Sequence, residues 1–192
     1  MIPQAASVAL ALLVAGAGYL LQGRPDLVGA PAAAPMPDPK LGAAFIAERR
    51  QLAGEAVPDA DRWIVIGDAM ARHGQYADAV EVLSGAVERQ PRNAQAWLAI
   101  ANALTAQAGG RLTPAADLAL NRAAAADPQA PGPTYFRAEA LGRAGRPVEA
   151  ENLWRQLLAE APASAAWRPI VEQKLASANC LDGCIAVDGS CC

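Results

Sequence analysis

Apolar and polar residues along this chain follow two different patterns. From Ile2 to Leu21 (IPQAASVALALLVAGAGYLL) no charged residue interrupts the run. As a helix that stretch would span roughly 30 Å, about the hydrocarbon thickness of a bilayer. From residue 41 onward the apolar positions instead recur every three or four residues, the spacing of one helix face. Runs of β-branched residues alternating with polar ones, the mark of strands, are missing from the sequence. The pattern predicts an all-α protein with a transmembrane anchor at 1–22 and a proline-rich linker at 23–40. It continues with an amphipathic helix and connection at 41–58, a helical array at 59–162, a capping helix in 163–178 and a tail at 179–192. In LGAAFIAERRQLA (41–53), Leu41, Ala44, Phe45, Glu48 and Leu52 fall along one side, and Glu48 makes that face imperfect.

Within the array the pattern repeats. Trp63, Ile66, Gly67 and Met70 are followed by Ala79, Leu83, Ala86 and Pro91. This is the spacing of a tetratricopeptide hairpin: small residues where two helices cross, large ones beside the crossing, and a proline that ends the second helix. Thirty-four residues after Trp63 comes Trp97, with Ile100, Ala101 and Leu104 in register. The second half of that unit, Ala116, Leu120, Ala123 and Pro128, is displaced by three residues. The insertion lies within TAQAGGRLTP, and Thr113 and Pro114 are suited to cap and restart the second helix. A third unit begins weakly at Thr134 and Arg137, then recovers with Ala138, Leu141, Gly145, Ala150, Trp154 and Pro162. The fold class is therefore a tetratricopeptide helical-hairpin solenoid of three units, with AAWRPIVEQKLASA (165–178) covering its open end.

Composition changes this picture little. Hydrophobic residues make up 53% of the chain but aromatics only 5%, because alanine dominates, and alanine favours closely packed helices. Sixteen basic and 19 acidic residues nearly balance, without a basic block, so nucleic acid is not expected as a partner. No lysine or arginine precedes the apolar N-terminal run, which favours an uncleaved anchor, although the small residues of GAPAAAP (29–35) leave a cleaved signal peptide open. Arg24 is the first basic residue, and taken alone it would place the C-terminal part in the cytoplasm.

AGYLLQGRPDLVGAP (15–31), RQLA (50–53) and AGGRLTPAADLALNRAAAADP (108–128) together resemble the C-terminal part of the CcmI/CycH cytochrome c biogenesis proteins. The resemblance runs from about Gly16 to about Ala178. It implies a single-pass protein of the bacterial inner membrane, held through residues 2–21, with its repeats in the periplasm. It also implies a chaperone that binds the C-terminal helix of apocytochrome c and presents it to a haem-lyase complex of the CcmF/CcmH type. Longer members carry an earlier transmembrane helix and a basic cytoplasmic loop, and this chain begins at what resembles their second span. A general envelope scaffold for another complex is the alternative function, and an accessory acting through thiols or metal in the tail is another.

By register the first helix of each unit lines a concave wall. Ile64 and Asp68, Leu98 and Asn102, and Tyr135 and Glu139 are expected to project from it as a peptide-binding groove. Apolar residues alternating with one amide and two acids suit an amphipathic helix whose basic side chains meet the acids. Trp63, Trp97, Trp154 and Trp167 are expected in the core or cap instead.

The tail holds every cysteine, Cys180, Cys184, Cys191 and Cys192. One or two disulfides in an oxidising compartment, or free thiols, are the readings for them. Neither the C-x2-C knuckle of a zinc site nor the C-x-x-C of a redox centre is present. His73, the single histidine, is expected at an exposed helix end. No metal ligand set, cofactor motif or catalytic constellation can be read, so the expectation is a binding protein without cofactor and not an enzyme.

Overall fold

The computed structural model describes residues 38–53 and 62–184, with side chains to Ala178, together with Val8 and Val14. Among the described residues of 38–53 and 62–184 there are eight helices and no strand: α1 Pro39–Ala53, α2 Arg62–Arg72, α3 Tyr76–Arg89, α4 Ala94–Gln107, α5 Pro114–Ala126, α6 Gly132–Arg143, α7 Pro147–Glu160 and α8 Arg168–Cys184. All lie in one compact unit, Pro37–Cys192. No helix among the described residues is long and apolar enough to cross a membrane. Apart from Val8 and Val14, the expected anchor falls outside the described residues, as does most of the linker.

Helices α2 and α3, α4 and α5, and α6 and α7 pack as three antiparallel-type hairpins, each hairpin stacked on the next, with α8 against α7. This is the tetratricopeptide arrangement, in which no single unit can bury its own apolar face. The core runs through the stack and is built from small residues, Ala79, Ala96, Ala101, Ala119 and Ala138, around Leu83, Leu120 and Trp154. The last three occupy the same slot in successive second helices. Trp154 is buried and Trp63, Trp97 and Trp167 are half-buried against the core. Trp97 donates its indole N–H to the Pro91 carbonyl at 2.8 Å, tying the start of the second unit to the end of the first.

The three-residue displacement has a definite origin. The hairpin turns comprise residues 73–75, 108–113 and 144–146. In each, the first three backbone N–H groups turn back onto the ending helix. Gln75 bonds to the Met70 carbonyl, Gly110 to Thr105 and Arg146 to Leu141. Gly110 thus stands where Gln75 and Arg146 stand, and Arg111, Leu112 and Thr113 are the added residues. Gly109 and Gly110 both have positive φ, 67° and 88°, a conformation that side chains strain to adopt. The addition also improves the restart: the Thr113 hydroxyl accepts from the Ala116 N–H at 3.1 Å, whereas Gln75 and Arg146 make no side-chain cap.

Candidate helix-binding groove

Helix α1 stands outside the three hairpins and packs on α2, α4 and α6, the first helices of the three units. Those helices carry the six residues expected to line a groove, and a helix of the same chain packs on all three. The face of α1 that is buried comprises Gly42, Phe45, Ile46, Arg49 and Leu52. Compared with the sequence expectation the helix is rotated: Ala44 is exposed and Arg49 is turned inward. The cause is electrostatic. Arg49 donates through Nη2 to both carboxylate oxygens of Asp68, at 2.5 and 2.6 Å, and both side chains are about 95% buried. A charge taken that far from water is tolerable only when paired and hydrogen-bonded.

The other five wall residues divide by position. Ile64 is half-buried against the core. Leu98 is buried, its methyl groups lying over Gly132 of α6. Asn102 is buried beside Gly42, Phe45, Ile46 and Arg49, in a gap between α1, α2 and α4 of only about 10 Å³. Tyr135 is fully buried and meets Phe136 edge-on at 5.2 Å, and Phe136 meets Phe45 of α1 edge-on at 5.7 Å. Glu139 is buried and accepts from Lys174 of α8 at 2.8 Å.

Lys174 also bonds Glu48 of α1 at 3.0 Å, so one ammonium joins α1, α6 and α8. Burial disfavours its charge, but the bonds to Glu139 and Glu48 outweigh that and hold its pKa above the usual lysine range. Burial raises the Glu48 carboxyl, against the opposing bond from Lys174. Burial and then the nearby Glu48 charge push the Tyr135 hydroxyl far up, so it stays protonated. Three buried polar atoms in this region, Glu48 Oε2, Asn102 Nδ2 and the Tyr135 hydroxyl oxygen, have no partner in hydrogen-bonding geometry. The inserted turn closes the other end, where Gly110 faces Leu41 of α1 and the Arg143 side chain.

No cluster of three or more potential metal-ligating side chains occurs among the described residues. His73 is exposed in the first hairpin turn. Cys180 and Cys184 lie on α8 beyond the described side chains, and Cys191 and Cys192 lie outside the described residues, as does the expected membrane segment 2–21 apart from Val8 and Val14. Sequence reasoning missed the occupant of the groove. The available signal was the stripe Gly42, Phe45, Ile46, Arg49, Leu52, spaced as one helix face, but an arginine in its centre reads as solvent-facing.

A tetratricopeptide repeat family model matches residues 60–103, which cover the first hairpin and most of α4. Over 159 residues, 82% of this chain, the sequence is 32% identical to the cytochrome c-type biogenesis protein CycH of Rhizobium meliloti. It is 33% identical over 117 residues, 61% of the chain, to the CycH protein of Bradyrhizobium diazoefficiens. The chain is a homologue of the CycH proteins. The matches span 42% and 32% of those two relatives, so this chain corresponds to less than half of their length. The longer match is wide enough to take in sequence beyond the three hairpins, and the relation to CycH therefore does not rest on the repeat spacing alone.

Proposed function

We propose that this protein is a client-binding component of cytochrome c maturation, which holds apocytochrome c by its C-terminal helix and presents it to haem-lyase partners of the CcmF/CcmH type. The reading is of a chaperone, not an enzyme: the chain contributes a surface, and haem attachment belongs to the partners. The relation to CycH supports the pathway. The observation that carries the mode of binding is that the concave wall already holds an amphipathic helix, with aromatic contact from Phe136 and an arginine received by Asp68.

Such a wall fits an unfolded cytochrome. A haem-free chain lacks the group around which its core forms, and a segment with helical periodicity gains an apolar surface in the groove on which to order. Ordering costs free energy at the moment of binding, so micromolar rather than nanomolar affinity is the expectation. The uncharged segment 2–21 supports placement in the bacterial inner membrane as an anchor, with the repeats on the periplasmic side where cytochromes c acquire haem.

Calorimetric titration of the full chain in detergent with a peptide of an apocytochrome C-terminal helix tests the proposal. Saturable binding is expected, lost when the basic residues of the peptide's inward face become glutamate. Equal binding by the basic and acidic peptides would remove the role given to Asp68, and absence of binding by both peptide and whole apoprotein would remove the chaperone.

A further inference from the structure

The occupied groove poses a problem for a client, and the details of its occupation indicate the answer. Helix α1 belongs to none of the hairpins, yet it covers Asp68, Asn102 and the Tyr135 side of the wall. Its seat is well matched in part. Adding even a Cβ at Gly42 would bring it against the Ala71 carbonyl and the Tyr76 ring, so α1 lies as close to α2 as a backbone can. Elsewhere the match is looser: Asn102 Nδ2 is buried without a partner, and the Tyr135 hydroxyl and Glu48 of α1 meet each other short of good hydrogen-bonding geometry. Buried unpartnered polar groups are rare in a settled core, and each is costly. An interface that is close-packed and paired at some positions and incompletely satisfied at others has the character of a placeholder.

We infer that α1 is a resident occupant of the client groove and that a client helix enters by replacing it, so the groove selects helices that repeat the α1 stripe. This rests on the reading that the concave wall is the client site. The stripe is a small residue, an aromatic and a branched aliphatic three and four positions on, arginine at seven and an aliphatic at ten, from Gly42, Phe45, Ile46, Arg49 and Leu52. The small residue permits the approach to α2, the aromatic meets Phe136, and the arginine forks onto Asp68. A client helix with glutamine where α1 has Glu48 would present an uncharged partner to the Tyr135 hydroxyl, and so complete a contact that α1 makes only imperfectly. Because α1 is tethered, its effective concentration at the wall is high, and a free client meets an apparent affinity reduced by the fraction of time that α1 is away.

Hydrogen exchange on the full chain in detergent, with and without the apocytochrome C-terminal peptide, tests this directly. Expected is loss of amide protection across Pro39–Ala53 on saturation, with protection kept in α2, α4 and α6. In parallel, Gly42→Val, which forces α1 from its seat and leaves the wall unaltered, should tighten binding of the client peptide at least tenfold. It should also allow binding of a synthetic peptide of residues 38–53, which wild type excludes. Client binding that leaves α1 protected, or affinity equal in wild type and Gly42→Val, overturns the inference while leaving the chaperone reading intact. A folded Gly42→Val chain that accepts the 38–53 peptide but no cytochrome peptide upholds the resident helix and overturns the cytochrome reading. Doubling of mass without α1 exposure would show a second copy's helix exchanging in, and also overturns the inference. Should Gly42→Val not fold, the exchange measurement on wild type decides alone.

Discussion

Arg49 and Asp68 show how single residues set the position of α1. The guanidinium is buried because it meets a carboxylate whose two oxygens it can bond at once. Removing one partner leaves a buried charge, which costs about 3–5 kcal/mol, whereas replacing both by apolar residues is near neutral. Asp68→Leu is therefore expected to lower the urea midpoint sharply, and Arg49→Met with Asp68→Leu to recover most of it. Glu48 makes a different prediction. It faces Lys174, Glu139, Tyr135 and Arg143, and burial raises its pKa above the usual 4.5. A raised folded-state value means that the protonated form favours the fold. That contribution is complete below the unfolded value and is lost as pH rises through the folded one. Glu48→Gln, fixed in the neutral form, should gain stability relative to wild type as pH is raised and lose that gain on acidification, as read from denaturation midpoints. The burial of Arg49 was not legible in the sequence, because its partner lies 19 residues away on another helix and nothing local marks the pair.

At the scale of elements, the hairpins were legible and the docking of α1 was not. Trp63 and Trp97, Leu83 and Leu120, and Ala79 and Ala116 recur because each unit must offer its neighbour the same small and large side chains. A helix outside the repeat has no such constraint. Its inward face could be placed only by amphipathicity, which put Ala44 inside where the structure buries Ile46 and Arg49. The insertion was legible as a length, three residues, and the structure supplies its consequence, a threonine cap that the other two second helices lack. Thr113→Ala should cost about 1 kcal/mol. Deleting residues 111–113 joins Gly110 to Pro114 in the geometry of the other turns. The shortened chain should keep its helical circular dichroism and unfold cooperatively, with a stability loss of the same order as Thr113→Ala plus the packing of Leu112 on the core.

At the scale of the whole described unit, three stacked hairpins receive a helix along their first helices, and that is the central claim for function. Register alone put Ile64, Asp68, Leu98, Asn102, Tyr135 and Glu139 at equivalent positions of the first helices, since tetratricopeptide units repeat their geometry. What register could not supply was that the wall is filled, because filling depends on the contacts of α1 with three separate helices. The most direct test is photo-crosslinking of haem-free cytochrome c to the full chain, with the photoreactive residue placed at Ile64 on the wall or at Val148, exposed on α7. The account predicts crosslinks from position 64 that map to the cytochrome's C-terminal helix, and none from position 148. Crosslinks from 148 with none from 64 would contradict it, and would move client binding off the concave wall.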